Sequence, residues 1–191
     1  MKKIQITDIK NITDKPLYIL IAGAIGSGKS TVVSKYLSDF NIVDPDIFTM
    51  QLGRGVYDDK HVATSMAMTK ATVLSLLKGD ESFIQQGTSA NLQSSLNKMM
   101  NAKKNGFTTI LLYVDTPLEK SIENVTNRTD RNNIPSYKVE RTHNGALLTY
   151  QVLTDTVEDM SRVIPSLQST LLTMEAAQAL TDYTIHYKNS Y

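Results

Sequence analysis

Apolar runs alternate with stripes at helical spacing along this chain. Leu17 to Ala22 is a continuous apolar run halted by glycine, which predicts a buried strand rather than a helix. Thr31 to Phe40 places Val32, Val33, Tyr36, Leu37 and Phe40 at helix-like spacing. Asn41 to Val43 reads as a brief second strand, ended by Pro45. Lys60 to Lys78 predicts a helix with Val62, Met66, Val73, Leu74 and Leu77 largely on one side, lapsing at Thr69 and Lys70. Ser82 to Gln86 is a third strand, and Asn91 to Lys104 a third helix closed by Asn105 and Gly106. Phe107 to Val114 is a fourth strand, apolar almost throughout. Thr116, Pro117 and Glu119 then spell a helix start, as cap, first-turn proline and capping-box partner. Leu118, Ile122 and Val125 form the stripe of that helix.

Ser136 to Ile164 predicts a long helix with Val139, His143, Ala146, Tyr150, Leu153, Val157, Met160 and Ile164 at alternating spacings of four and three. Asn144 and Gly145 predict a kink in it, and Pro165 a break. The stripe suits packing on a sheet, with a coiled-coil seam between two copies as the alternative. One short helix within Ser166 to Leu180 and a last strand at Tyr183 to Tyr187 complete the pattern. Residues 1–16 add an edge strand at Ile4 to Ile9, or only a tail. Strands alternating with helices predict an α/β fold: a parallel β-sheet of about five strands, flanked by helices on both faces, in one domain spanning 1–191.

Composition narrows the classes. The chain has 191 residues, 41% hydrophobic and 20% charged, which suits one domain with a sizeable core. It has no cysteine, so disulfides, thiol nucleophiles and thiolate metal sites are excluded. A net charge of +1 suggests no general affinity for nucleic acid, though a local basic patch stays open. No apolar run approaches the ~18 residues of a membrane span. Met1 to Pro16 lacks the apolar middle of a secretion signal, so the expected location is the cytoplasm.

The chemistry centres on the glycine-rich segment just past the first strand. Gly23, Ala24, Ile25, Gly26, Ser27, Gly28, Lys29, Ser30 and Thr31 fit G-x-x-x-x-G-K-[ST] without a mismatch. Such a loop turns its backbone amides toward phosphate oxygens, and a Cβ at its glycines would obstruct that approach or its φ values. The helix opening there adds its free amides and positive dipole end. Lys29 is expected to reach the β/γ-phosphates, and the Ser30 hydroxyl to bind Mg²⁺. The expected ligands are therefore ATP and Mg²⁺. The glycine spacing does not fit the dinucleotide fingerprint G-x-G-x-x-G, and no Asn-Lys-x-Asp motif marks a guanine switch.

Three further features point to transfer of the terminal phosphoryl group. Asp44 and Asp46 stand in a loop past the second strand, where ligands of open parallel sheets bind. Asp46 is the candidate base that orients an acceptor hydroxyl, and Asp44 a candidate partner of a metal-bound water; a plain turn around Pro45 is the alternative. Arg128 and Arg131, with Arg141 behind them, suit a lid at about 127–143 that closes on the triphosphate; the alternative is a solvated basic loop. Gln86, Gly87 and Thr88 follow a third strand end and suit an acceptor pocket, or a helix entry capped by Thr88 or Ser89. Asp115 ends an apolar strand as a metal-binding carboxylate would, or belongs to the turn before Thr116. His61, His143 and His186 lack metal-ligand spacing.

With these residues in view, the chain resembles the zeta-toxin and polynucleotide-kinase branch of P-loop kinases, from about Leu17 to Ser190. GAIGSGKST matches the phosphate loop, IVDPDIF the segment with the base aspartate, FIQQGTS the strand reading EGT, and NRTDRNNIP the arginine lid. NGFTTILLYVDTP is similar to the strand before the lid's helix, and TDYTIHYKNS to the closing strand. The resemblance implies a P-loop kinase fold with an arginine-bearing lid, Asp46 as base, and Arg128 and Arg131 as lid arginines. The sequence departs from the family at Gln86, where an acidic residue is usual. It departs again after Asp46, where Thr49 or Met50 stands near the usual arginine and Arg54 is the substitute.

These readings combine into one expectation: an ATP-dependent kinase acting on a hydroxyl of a nucleotide, a nucleotide sugar or nucleic acid, at a 5′ end or a modified base. Arg54, Gln86 and Thr88 are the expected acceptor contacts. The alternatives are a nucleotide-binding regulator without transfer, and a small-metabolite kinase of shikimate or gluconate type. A homodimer and an antitoxin-like protein partner stay open; a membrane partner is not expected.

Overall fold

A computed structural model describes residues 1–129, 134–154, 156–157 and 160–189. Six strands form one sheet: β1 (Lys2–Lys3), β2 (Leu17–Ala22), β3 (Asn41–Val43), β4 (Phe83–Gln85), β5 (Thr108–Asp115) and β6 (Tyr183–Lys188). Their order is β1-β6-β5-β2-β4-β3, and every pair is parallel. β2 is central and wholly buried, because both of its neighbours and both sheet faces cover it.

The residues of β2 sort by alternation into two cores. Leu17, Ile19 and Ile21 pack with Ile84, Ile110, Leu112 and Ile185 beneath α1 (Lys29–Tyr36), which contributes Val32 and Val33. Tyr18, Leu20 and Ala22 face the other way, toward Leu111 and Tyr113. That second face is covered by α3 (Val62–Leu76), α4 (Leu92–Lys104), α6 (Ser136–Thr154), α7 (Ile164–Thr170) and α8 (Met174–Gln178). α2 (Pro45–Leu52) packs on α3, and α5 (Leu118–Thr126) on α6.

The expected α/β architecture is borne out, with six strands in place of about five. The sixth is Lys2–Lys3, pairing with β6; Ile4 to Ile9 is not a strand. A 3₁₀ turn at Ile6–Asn11 instead tucks Ile6 and Ile9 under the sheet. Asp44 and Pro45 open a helix rather than a turn: the Asp44 carboxylate accepts from the Asp46 amide at 2.8 Å, and Pro45 takes the first helical position. The cap expected of Thr116 does not form. Its hydroxyl donates to the Ser27 carbonyl at 2.9 Å, and Pro117 holds the cap position of α5.

The long helix is continuous through Gly145 and ends at Thr154. Gly145 serves close packing, since a Cβ there would lie 2.3 Å from the Ala90 carbonyl oxygen. Pro165 sits in the first turn of α7 instead of ending a helix. Val139, Ala146, Tyr150 and Leu153 are buried, the last three in the core on their own sheet, so the stripe is a core face.

Candidate active site

The site lies at the carboxyl ends of β2, β3 and β4, and is a cavity of about 690 Å³. Ile25, Gly26, Gly28, Lys29, Ser30 and Thr31 are part of its lining. Gly28 occupies the cap position of α1 at φ +83° and brings no side chain, so the first-turn amides of α1 have no capping oxygen. Gly26, at φ +80°, admits no Cβ: one would lie 2.3 Å from the Ser121 carbonyl oxygen. A bare helix start inside a cavity is the donor arrangement an anionic phosphate fits.

The loop is held on all sides. The Ile25 amide donates to the Thr142 hydroxyl of α6 at 3.1 Å. The Asn124 carboxamide of α5 donates to the Gly26 carbonyl at 2.8 Å. Asn189, just past β6, donates to the Ser27 carbonyl at 2.7 Å and to the Thr116 hydroxyl at 3.0 Å. The Gly23 amide donates to the Thr88 carbonyl at 3.1 Å. Thr142 and Asn124 carry no signal in the sequence, and Asn189 shows only as the end of the closing-strand match, because their distance in sequence from the loop hides the contact.

Lys29 is folded onto its own loop. Its Nζ donates to the Gly23 carbonyl at 3.0 Å and the Ala24 carbonyl at 2.5 Å. Burial there pulls its pKa down to about 8; Asp44 and Asp46 oppose that shift, and Arg128 adds to it. The four charges thus share one field, although Arg128 is far from the rest in sequence.

Asp44, Gln86 and Ser30 form a chain of contacts. The Gln86 carboxamide donates to the Asp44 carboxylate and, at 2.9 Å, to the Ser30 hydroxyl oxygen. Asp44 is 8% exposed, and its other oxygen caps α2. Asp46 stands one residue into α2 on the cavity wall. Among the described residues no cluster of three or more His, Asp or Glu could hold a metal alone. A hydroxyl, two nearby carboxylates and phosphate oxygens are the hard, partly hydrated donor set that suits Mg²⁺.

Thr88 lines the cavity beside Gln86, while Asn91 caps α4 in place of Thr88 or Ser89. Ser89 is left-handed at φ +50°; its hydroxyl donates to the Ile21 carbonyl, and its carbonyl accepts from Thr149 of α6. Arg54 is not brought to the cavity. It sits exposed and left-handed past the end of α2, and Tyr57 takes the place on the wall. Arg131 lies outside the described residues. Asp115 does not line the cavity; its carboxylate meets the His186 ring nitrogen at 2.8 Å.

Residues 19–153 match the AAA domain family. The chain belongs to that family. Solved structures with the same fold include one of the PezAT chromosomal toxin–antitoxin system of Streptococcus pneumoniae, at TM-score 0.58 and 15% identity, covering 93% of this chain and 70% of that one. Another is the Pnkp1/Rnl/Hen1 RNA repair complex, at TM-score 0.58 and 25% identity, covering 74% of this chain and 48% of that one. A third is the AvrRxo1-ORF1:-ORF2 complex with ATP, at TM-score 0.62 and 15% identity, covering 97% of this chain and 58% of that one. The chain thus spans about half the length of the last two. No curated protein matches it. The P-loop kinase resemblance read from the motifs is borne out at the level of family and fold. Among the described residues no helix is long and apolar enough to cross a membrane.

Proposed function

We propose that this AAA-domain protein is an ATP-dependent phosphotransferase whose acceptor is an alcohol, borne by a nucleotide, a nucleotide sugar or nucleic acid. The observation that carries the reading is the sharing of one cavity by Asp46 and the phosphate loop, with Lys29 inside the field of that carboxylate.

In this reading the amides of residues 26–31 hold the triphosphate, and Lys29 leaves the Gly23 and Ala24 carbonyls to meet it. Ser30 would hold Mg²⁺, which when bound neutralises charge on the phosphate oxygens. Asp46 accepts the proton of the acceptor hydroxyl as its oxygen bonds to the γ-phosphorus. The bond from that phosphorus to the bridging oxygen breaks, leaving ADP and a phosphate monoester. Arg128, with Arg131, balances the charge on the moving group. Gln86 keeps Asp44 and Ser30 in register, and Thr88 faces the acceptor. Gln86 takes the place of the family's acidic residue as a neutral donor, and the buried carboxylate it contacts is that of Asp44.

The test is incubation with labelled ATP, Mg²⁺ and pools of nucleosides, nucleotides, nucleotide sugars and 5′-hydroxyl oligonucleotides. Label in one pool is the expected result. Tight ATP binding with no label transferred to any pool contradicts the proposal.

A further inference from the structure

The cavity also carries a cation that the proposed phosphoryl transfer does not use. Lys98 lies on α4, and Asn91, Ser94, Ser95 and Lys98 follow one another at spacings that keep them on one face. All four line the cavity. Tyr57, Met66 and Thr69 line it from the α2–α3 side. Most of the remaining inward positions of α4 are apolar and packed in the core: Leu92, Leu96, Met99 and Ala102 are buried. Lys98 is therefore the charge this helix presents to the cavity.

Its setting differs from that of Lys29. Lys29 sits in the field of Asp44, Asp46 and Arg128. Lys98 feels none of them; burial alone lowers its pKa, with no carboxylate to counter it. Among the described residues it has no ion pair or hydrogen bond with a protein group. The two lysines thus line one cavity in different electrostatic settings, and Asp46 acts on Lys29 alone of the two. A partly buried ammonium without an anion is costly, and an anionic ligand relieves that cost. Hydroxyl and carboxamide groups beside it supply donors of the kind a phosphate or carboxylate accepts. The cavity is also large enough for a second small molecule beyond a triphosphate end.

We infer that Lys98, with Ser94 and Asn91, forms an anion subsite for the acceptor, so that the preferred substrate is an alcohol bearing a phosphate or carboxylate away from its reacting hydroxyl. This rests on the phosphotransferase reading for the word acceptor, but the anion subsite itself does not. Tyr57 and Met66 offer an apolar wall for the body of such a molecule. The ligand's hydroxyl points to Asp46 when its anion sits on Lys98.

Two readouts test the inference. The first is NMR of the lysine side-chain ammonium groups in protein saturated with a non-hydrolysable ATP analogue and Mg²⁺, which keeps the phosphate loop filled. Lys98→Met assigns the Lys98 signal by its loss. Adenosine 3′-monophosphate is expected to shift that signal and adenosine to leave it; glucuronate against glucose repeats the comparison for a carboxylate. A signal that ignores every anion, or answers charged and uncharged probes alike, overturns the subsite.

The second readout is turnover with the same pairs. Lys98→Met should raise KM for charged acceptors by about 10–100-fold while Mg-ATP affinity holds, and Lys98→Arg should recover most of the loss. Equal loss on charged and neutral acceptors overturns the inference. A shifted Lys98 signal without turnover on any acceptor upholds the anion subsite and removes the kinase reading instead.

Discussion

The carboxamide nitrogen of Gln86 lies 2.9 Å from the Ser30 hydroxyl oxygen. Its second hydrogen goes to Asp44, so one neutral side chain ties the end of β4 to both the phosphate loop and the start of α2. A carboxylate cannot make these two donations.

Gln86→Glu is therefore expected to destabilise the metal-free protein at neutral pH by about 1–3 kcal/mol, because it sets a carboxylate against Asp44. The pair would keep a proton that the unfolded chain has lost, so the penalty grows as pH rises from 5 to 8 and shrinks as it falls. Mg²⁺ should restore part of the loss. Thermal unfolding across pH, with and without Mg²⁺, checks this; a penalty independent of both counts against the network.

Lys29 carries a second prediction. Its pKa is drawn down to about 8 while it rests on loop carbonyls, so part of the population is neutral just above that pH. Phosphate oxygens favour the charged form. Mg-ATP binding at pH 8–9 should then take up a fraction of a proton, and affinity should weaken as pH climbs past 8. Calorimetry in buffers of different ionisation enthalpy reads the uptake. Proton release, or an affinity flat from pH 7 to 9.5, contradicts the resting position of Lys29.

Gly145→Ala offers a test of packing. In an ordinary helix interior this change gains roughly 0.5–1 kcal/mol. Here the new methyl would stand 2.3 Å from the Ala90 backbone oxygen. Forcing α6 from the Ser89–Ala90 loop should lose stability instead, by about 1–3 kcal/mol. Because Ile25 rests on Thr142 of the same helix, ATP affinity should fall with it. Urea unfolding and calorimetry on one variant decide both points.

The central strand and the phosphate loop were legible because each is a local signal: an apolar run, then glycines at fixed spacing. Their placement beside Asp44 and Asp46 followed from parallel-sheet logic alone. What local pattern misread was Asp44-Pro45, where the same residues serve a turn or a helix start; the helix formed because α3 was there to pack against α2. Gly145 looked like a kink and Thr116 like a cap for the same reason. Their partners, Ala90 and Ser27, lie far away in sequence. Lys98 gave no signal, because a lysine on the polar side of a helix reads as solvated until the opposite wall is known.

The most direct measurement is a comparison of wild type with Asp46→Asn, pairing calorimetric Mg-ATP affinity with the rate of label transfer to the acceptor found in the pools. Binding should stay within about twofold of wild type, and transfer should be slower by at least about 10²-fold. Transfer near the wild-type rate in that variant would contradict the role of Asp46 as base.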